Sequence, residues 1–336
     1  MEESRYAVSP APINPRADDC ARRLKKFLAD IYGRQTLAGQ QASGLYSYEN
    51  AALKKLTGRM PAISGFDFMD YSPGRVERGA GSRDAEDAIL WWDKGGIVTF
   101  CWHWNAPKDL VDSKDQPWYR GFYTDATSFD ISRAMDGRDP EGYRLILRDI
   151  DAIAAQLRIL ADAGVPVIWR PLHEASGGWF WWGAKGAKPC VALYRLLYDR
   201  LTRHHRLNNL LWAWSGQSPE WYPGDEYVDL IGEDIYPPEH EHTAQKARFE
   251  QAANTPNEPK LIAMTENGAV PDIDAMYAEG ARWLYFCTWG GDFVFDRAER
   301  AYSEKTTSAE RMIYTFQHPD VVTLDELPDL KTYPLP

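Results

Sequence analysis

The chain has 336 residues, 44% of them hydrophobic and 26% charged, and a net charge of −11. A chain of this length and composition can bury a full apolar core, whereas its acidic charge would repel nucleic acid. No apolar run approaches the roughly 20 residues that cross a bilayer, and residues 1–16 do not have the pattern of a secretory signal. Neither nucleic acid nor a membrane is therefore expected as a partner, and the native location, whether secreted, periplasmic or cytoplasmic, is left open.

In chain order, residues 1–18 are polar and rich in proline, which predicts an extended N-terminal arm. Apolar residues at helical spacing then predict a helix over residues 19–32, with Gly33 as its stop. Beyond this point short apolar runs alternate with helix-forming stretches. The predicted strands are 35–41, 62–70, 97–104, 166–174, 210–215, 228–236, 261–268 and 282–290, and the predicted helices are 46–56, 83–94, 143–163, 190–207, 242–253, 272–279 and 307–317.

Eight alternating units predict an α/β fold, a (β/α)8 TIM barrel that occupies residues 1–336 as a single catalytic domain. An open, doubly wound sheet would require a glycine-rich phosphate loop after its first strand, and residues 39–44 do not have that pattern. The connection 216–226 contains Pro219, Pro223 and Gly224, so at most one short helical turn is expected there. The long connection 105–142 is expected to decorate the cleft.

The functional residues of such a barrel lie where its strands end, at the carboxyl face. Several predicted strands end in acids, so position alone leaves more than one pairing of carboxylates open. The composition also includes 14 Trp and 18 Tyr, and flat rings with polar edges suit a sugar ligand. The strand-end acids are Asp67, Asp70, Glu174, Glu233, Asp234 and Glu266.

Spacing favours one pair, Glu174 and Glu266. They end the fourth and seventh predicted strands and lie 92 residues apart, which is about three strand-helix units. In a closed ring these strands face each other across the barrel mouth. Cleavage of a glycosidic bond uses two carboxylates on opposite sides of the bond, so this pair predicts a glycoside hydrolase.

Other side chains at the strand ends complete the predicted site. His103 follows the third strand and can hydrogen-bond a sugar or a carboxylate, while Trp289 closes the eighth strand as a floor under the sugar. Tyr236 and Arg170 would favour the ionised form of Glu266, and the aromatic segment 179–182 would desolvate Glu174. Neither a metal-binding pattern nor a cofactor motif is present, so none is expected. Candidate outer sugar platforms are Trp118, Tyr119, Trp214 and Trp221.

Several motifs resemble those of the family 26 glycoside hydrolases, most of which are endo-β-1,4-mannanases. The match begins at residues 39–41 and includes Arg-Pro-Leu-His-Glu at 170–174 and Trp-Phe-Trp-Trp-Gly at 179–183. It continues through Trp-His at 102–103, Asp-Ile-Tyr at 234–236, Thr-Glu-Asn-Gly at 265–268 and residues 323–328.

The resemblance implies a retaining (β/α)8 hydrolase with Glu174 as acid/base and Glu266 as nucleophile, whose carboxyl groups should lie about 5–5.5 Å apart. It also implies that Trp179 stacks on the sugar across the cleavage point. Ala175 and Thr265 depart from the usual Met and Ser of the family. The same resemblance implies that five further residues surround the reacting mannose: His103, His173, Asp234, Tyr236 and Trp289. Arg170 is predicted to bind the substrate together with them.

The expected substrate is β-mannan or a manno-oligosaccharide, cleaved by a protein that is expected to work as a monomer. The alternatives within this scaffold are a mixed-linkage β-glucanase and a β-1,3-xylanase. The alternative from another class is a polysaccharide-binding protein that has lost catalysis, although the presence of both carboxylates speaks against it.

Overall fold

The computed structural model describes residues 3–42 and 44–336 of the chain. Eight parallel strands pair in sequence order, and β1 also pairs with β8 through Leu37 and Tyr285, so that the sheet closes on itself. The fold is therefore a (β/α)8 barrel, as expected. The barrel strands are β1 (Thr36–Gln41), β2 (Ile63–Asp67), β3 (Ile97–Cys101), β4 (Val167–Arg170), β5 (Leu210–Trp214), β6 (Leu230–Ile235), β7 (Leu261–Asn267) and β8 (Tyr285–Thr288).

Helices connect the strands on the outside of the barrel, and polar side chains begin many of them. Asp18 and Ser47 accept backbone hydrogen bonds at the starts of the first two helices, and Asp139 does so at the start of the longest. The helices are α1 (Asp19–Ile31), α2 (Tyr48–Thr57), α3 (Pro73–Val76), α4 (Asp84–Asp93), α5 (Ile131–Met135), α6 (Pro140–Asp162), α7 (Ala187–Tyr198), α8 (Lys246–Asn254), α9 (Ile273–Glu279) and α10 (Ala309–Gln317).

Three short strands lie outside the closed ring. β9 (Phe295–Asp296) and β10 (Ala301–Tyr302) form an antiparallel hairpin after the eighth barrel strand, and β11 (Val321–Val322) adds to the edge of β1. Because β3, β5 and β8 are buried along their whole length, they appear in the sequence as continuous apolar runs rather than alternating ones.

Several barrel strands end earlier than the sequence pattern predicted. β3 ends at Cys101 and β4 at Arg170, so His103, His173 and Glu174 lie in the loops beyond the strands. The apolar runs continue past the last ladder hydrogen bond because those loops are themselves buried. The carboxyl face of the barrel is therefore lined both by the last residues of some strands, such as Asp67, Asp234 and Glu266, and by residues up to four positions beyond others.

Two connections around this face differ in size. Connection 105–142 contains two single 3-10 turns and α5, and its residues 122–124 hydrogen-bond with residues 178–181 of the loop after β4. The connection after β5 contains two 3-10 turns, Pro219–Trp221 and Asp225–Tyr227, rather than the single turn expected. The first of these connections thus decorates the cleft as predicted.

The amino-terminal end of the barrel is covered by α1. Lys25 of this helix lies 3.9 Å from Asp229, the residue that precedes β6, and it donates to the Asp229 carbonyl at 2.8 Å. The N-terminal segment is fixed to the same carboxylate, because the Ile13 amide donates to Asp229 Oδ1 at 2.9 Å. Among the described residues, no helix combines the length and the apolar character required to cross a membrane.

Candidate active site

Glu174 is held above β4 by backbone contacts with the next strand. Its amide donates to the Ser215 carbonyl at 2.8 Å, and its backbone has the left-handed φ of 54°. Its carboxylate accepts a hydrogen bond from Trp179 Nε1 at 2.8 Å. The loop thus turns back on itself and places the carboxylate beside the half-exposed indole.

Glu266 faces Glu174 from a bulge in β7. Opposite Glu233 and Asp234, which are consecutive in β6, β7 presents Met264 and Glu266, so Thr265 is an extra residue. A bulge re-aims side chains, and here Thr265 and Glu266 both reach groups at the barrel mouth. Strict alternation would have placed these two neighbours on opposite faces of the sheet.

Both oxygens of Glu266 accept hydrogen bonds. Tyr236 donates its hydroxyl to Oε2 at 2.6 Å, and Arg170 donates Nη2 to Oε1. The carboxylate is 4% exposed and the guanidinium 1% exposed, so this is a buried, charge-assisted contact. Glu266 is therefore held by a guanidinium on one oxygen and by a phenolic hydroxyl on the other.

Asp234 shares the same guanidinium. Arg170 Nη1 lies 2.8 Å from Asp234 Oδ2 and 3.2 Å from Ser215 Oγ, while the Thr265 hydroxyl donates to Asp234 Oδ1 at 2.6 Å. Thr265, a departure from the usual family residue, thus orients Asp234. The other departure, Ala175, is buried at 2% exposure and has no direct part in the cleft.

The three carboxylates form a compact group. One oxygen from each of Glu174, Asp234 and Glu266 lies within 4.8 Å of the other two. A second group within the same distance, composed of Asp67, Cys101 and His103, lies at the ends of β2 and β3. Either group has the donor types that hold a cation, but Arg170 already pairs with Asp234 and Glu266 in the first group, and the Asp67–His103 hydrogen bond uses the second.

The surroundings raise the pKa of Glu174 above its ordinary value. Burial is the larger cause and the negative charge of Glu266 adds to it, whereas the Trp179 hydrogen bond acts in the opposite direction. Glu174 is thus biased towards the protonated form, which is the form that a general acid requires.

A chain of three polar side chains lies on the other side of Glu174. Asp67 Oδ2 lies 2.5 Å from His103 Nδ1, and His103 Nε2 lies 3.1 Å from His173 Nε2. Although burial opposes the charge, Asp67 raises the pKa of His103, while burial and the charge of His103 lower that of His173. His173 is only 1% exposed, so it contacts His103 from within the core rather than facing the cleft itself.

The aromatic segment after Glu174 does not line the cleft as a unit. Trp179 is 48% exposed, but Trp181 and Trp182 are fully buried and donate to the carbonyls of Trp104 and His173. Phe180 packs against His173 at 5.1 Å between ring centroids. Trp179 is therefore the one exposed ring of this segment, and the other three rings fill the core beneath the cleft.

The candidate sugar platforms also include both buried and exposed rings. Trp214 and Trp221 are 4% and 8% exposed, so no sugar ring can lie across their faces and their assignment as platforms is wrong. Tyr119 is 54% exposed and Trp118 is partly exposed, and both stay candidates.

Trp289 borders a cavity of about 500 Å³ beside the carboxyl ends of β1, β2 and β8. Gln41, Tyr46, Asp67 and Asp87 line the same space. Sequence analysis recognised Asp67 only as one of several strand-end acids, and it did not identify Gln41 or Ser215. No local pattern marks these residues, since their positions depend on how neighbouring strands are brought together.

An eight-stranded barrel with a close pair of carboxylates, one just beyond its fourth strand and one near the end of its seventh, has the construction of a retaining glycoside hydrolase. Residues 13–326 match the model of the family described as glycosyl hydrolase family 26, and the chain belongs to this family.

Individual relatives agree with this assignment. A mannan endo-1,4-beta-mannosidase of Thermothelomyces thermophilus is 48% identical over 322 residues, which cover 96% of this chain and 64% of that protein. The chain thus spans less than two thirds of the length of this curated relative.

Two solved structures have the same fold. The GH26-CBM35 beta-(1,4)-mannanase of Podospora anserina superposes with a TM-score of 0.88 at 40% identity, covering 97% of this chain and 70% of that one. A beta-mannanase from a symbiotic protist of the termite Reticulitermes speratus, complexed with gluco-manno-oligosaccharide, has a TM-score of 0.82 at 33% identity. The superposition covers 96% of this chain and 98% of that one.

Proposed function

We propose that the chain hydrolyses β-1,4-mannosidic bonds within mannans with retention of anomeric configuration. The observation that carries the proposal is the Glu174–Glu266 pair, whose nearest oxygens lie within 4.8 Å. A pair this close favours the short carboxyl separation of retaining enzymes, roughly 5–5.5 Å, over the wider gap of roughly 6.5–9.5 Å at which an inverting enzyme admits water. The relatives named as mannan endo-1,4-beta-mannosidases support mannan as the substrate and internal bonds as the point of attack.

In the first step, Glu266 attacks the anomeric carbon and Glu174 protonates the departing oxygen. In the second step, Glu174 removes a proton from water, which then displaces Glu266 from the sugar. Arg170 and Tyr236 hold Glu266 so that one oxygen points at the anomeric carbon. Asp234, His103 and Trp289 surround the reacting sugar, and the exposed ring of Trp179 stacks on the next one.

We further propose that residues 1–336 act as one catalytic domain, with residues 1–18 as its N-terminal arm, and that the chain works as a monomer. Contacts of Ile13 and Asn14 with residues at the amino end of the barrel support the arm.

Reducing-sugar release from a panel of mannan, mixed-linkage β-glucan and β-1,3-xylan tests the proposed activity. We expect release from mannan, and Glu266→Ala should reduce turnover by at least about 10⁴-fold while oligosaccharide binding persists. Glu279→Gln, an exposed carboxylate at the end of the helix that follows β7, is the control and should keep full activity.

The stereochemical outcome is tested separately by following the first anomer released with proton NMR. Retention predicts the β-anomer first. Release of the α-anomer, preferential hydrolysis of glucan or xylan, or full activity of Glu266→Ala would each refute the corresponding part of the proposal.

A further inference from the structure

The conformation of Glu174 depends on the three residues that follow β5. Glu174 donates its amide to the Ser215 carbonyl at 2.8 Å, and Ser176 donates to the Gly216 carbonyl at 3.2 Å. Leu172 and Glu174 both have a φ of 54°, a left-handed conformation that is unfavourable for a residue with a side chain. Such a conformation persists only where its surroundings impose it. The backbone of residues 215–217 therefore acts as the template for the loop that carries Glu174.

Gln217 connects this template to the far side of β6. Its amide Nε2 donates to the Asp234 carbonyl at 3.2 Å, and its Oε1 accepts from Arg248 Nη2. Its own carbonyl accepts from Gln251 Nε2 at 2.9 Å, and its φ is 71°. Gln217 is thus a third left-handed residue, and side chains from α8 hold it in place.

Arg248 is fixed in turn by Glu233. Its Nε donates to Glu233 Oε2 at 2.8 Å, and the carboxylate is 2% exposed. Burial raises the pKa of Glu233 to about 7, and the guanidinium acts against this increase. A buried carboxylate favours a paired cation, so Arg248 is anchored on Glu233 through both Nε and Nη2, and Nη2 also donates to Gln217 Oε1.

We propose that Gln217, Arg248 and Glu233 are positioning residues that hold Glu174 in the geometry of a proton donor. None of them touches the reacting bond, and their effect is transmitted through the backbone of residues 215–217. The inference rests on the proposed function, because it takes Glu174 as the acid/base.

Leaving-group dependence provides the test. Mannan has a poor leaving group that must be protonated, whereas dinitrophenolate leaves without a proton. Gln217→Ala and Arg248→Ala should therefore lower kcat/KM on mannan by about 10- to 100-fold, the effect expected of a displacement of roughly 1 Å in a catalytic group. The same variants should keep kcat/KM on dinitrophenyl β-mannobioside within about two-fold of the wild type, since that constant reports only formation of the glycosyl-enzyme.

Two further variants separate positioning from general stability. Arg248→Lys keeps the charge beside Glu233 but loses the fork that reaches Gln217, so it should reproduce the selective loss on mannan. Glu250→Gln alters an exposed carboxylate on the same helix and should leave both substrates unaffected. A purely structural role would lower the two rates in parallel.

Each outcome supports or overturns the proposal. A parallel loss on both substrates, or no loss on either, overturns it; if Arg248→Ala does not fold, Gln217→Ala and Arg248→Lys decide. Failure of the wild type to hydrolyse mannan would instead overturn the proposed function, which distinguishes the two inferences.

Discussion

At the residue scale, Glu174 is subject to three competing influences. Burial and the negative charge of Glu266 raise its pKa, whereas the hydrogen bond from Trp179 Nε1 lowers it by stabilising the carboxylate. Trp179 thus has two parts in the proposed mechanism, because its exposed ring can also stack on a sugar. The structure allows the two contributions to be separated by removing the nitrogen and keeping a ring.

The pH dependence of catalysis is expected to follow from this balance. Glu174 must be protonated to act as the acid, so kcat/KM should fall as the pH rises through its raised pKa. Trp179→Phe removes a donor that favours the charged form, and the fall should therefore move to higher pH. At pH values below this fall, kcat/KM of Trp179→Phe should be up to about ten-fold lower than that of the wild type, or about 1.4 kcal/mol, because part of the stacking surface is lost.

A pH-rate profile on mannan measures both effects. Tyr314→Phe is the control. It removes the hydroxyl of an exposed ring on α10 that donates to Asp274 of α9, and it should leave the profile unchanged. A profile of Trp179→Phe that shifts to lower pH would contradict the assigned role of the indole.

At the element scale, closure of the barrel depends on close contact between β1 and β8. Gly39 pairs with Cys287, and a Cβ at this position would lie 2.6 Å from the Phe286 carbonyl oxygen and 3.2 Å from Cys287 Cα. These are backbone atoms of β8, so no side-chain rotation relieves the clash. Gly39 is needed here because the two strands approach too closely for any side chain.

Gly39→Ala should therefore lower the free energy of unfolding by about 1–3 kcal/mol, as expected for added volume in a packed core. Urea-induced unfolding followed by far-UV circular dichroism measures the change. Gly74→Ala is the matched control, because nothing lies within 4 Å of a Cβ there and its stability should be equal or slightly greater. An unchanged unfolding midpoint for Gly39→Ala would show that β1 and β8 can separate without cost.

At the scale of the whole molecule, the two ends of the barrel have different tasks. The carboxyl end holds the proposed site, while the amino end is closed by α1 and the N-terminal segment around Asp229. This carboxylate is 1% exposed and accepts hydrogen bonds from the amides of Ile13 and Trp212. Burial lowers the pKa of its neighbour Lys25 to about 8 even though the charge of Asp229 acts in the opposite direction, so the Lys25 ammonium depends on this carboxylate.

Asp229→Asn should destabilise the folded protein by about 3 kcal/mol, because it leaves Lys25 as a buried, unpaired cation. The loss is expected near the lower end of the usual range, since an amine with a pKa of about 8 can give up its proton. The thermal unfolding temperature measures the change. Lys25→Met combined with Asp229→Asn should recover part of it, and a double variant less stable than the single one would contradict this explanation.

Much of the molecule was determined by local sequence. Continuous apolar runs such as Ile97–Cys101 can only be buried parallel strands, and eight of them with helices between predict a closed barrel. Acids at the ends of these runs then fall on one face whatever the details of packing. The expected positions of Glu174 and Glu266 follow from this regularity, and the structure brings them together.

Only the tertiary structure decided where the side chains point beyond the strands. The bulge at Thr265, the left-handed conformation of Glu174 and the burial of Trp181 and Trp182 all depend on contacts with other strands and loops. Local periodicity sets the direction of a side chain only while the ladder of hydrogen bonds continues. Past the last ladder bond, partners distant in the sequence, such as Ser215 for Glu174, determine the geometry of the site.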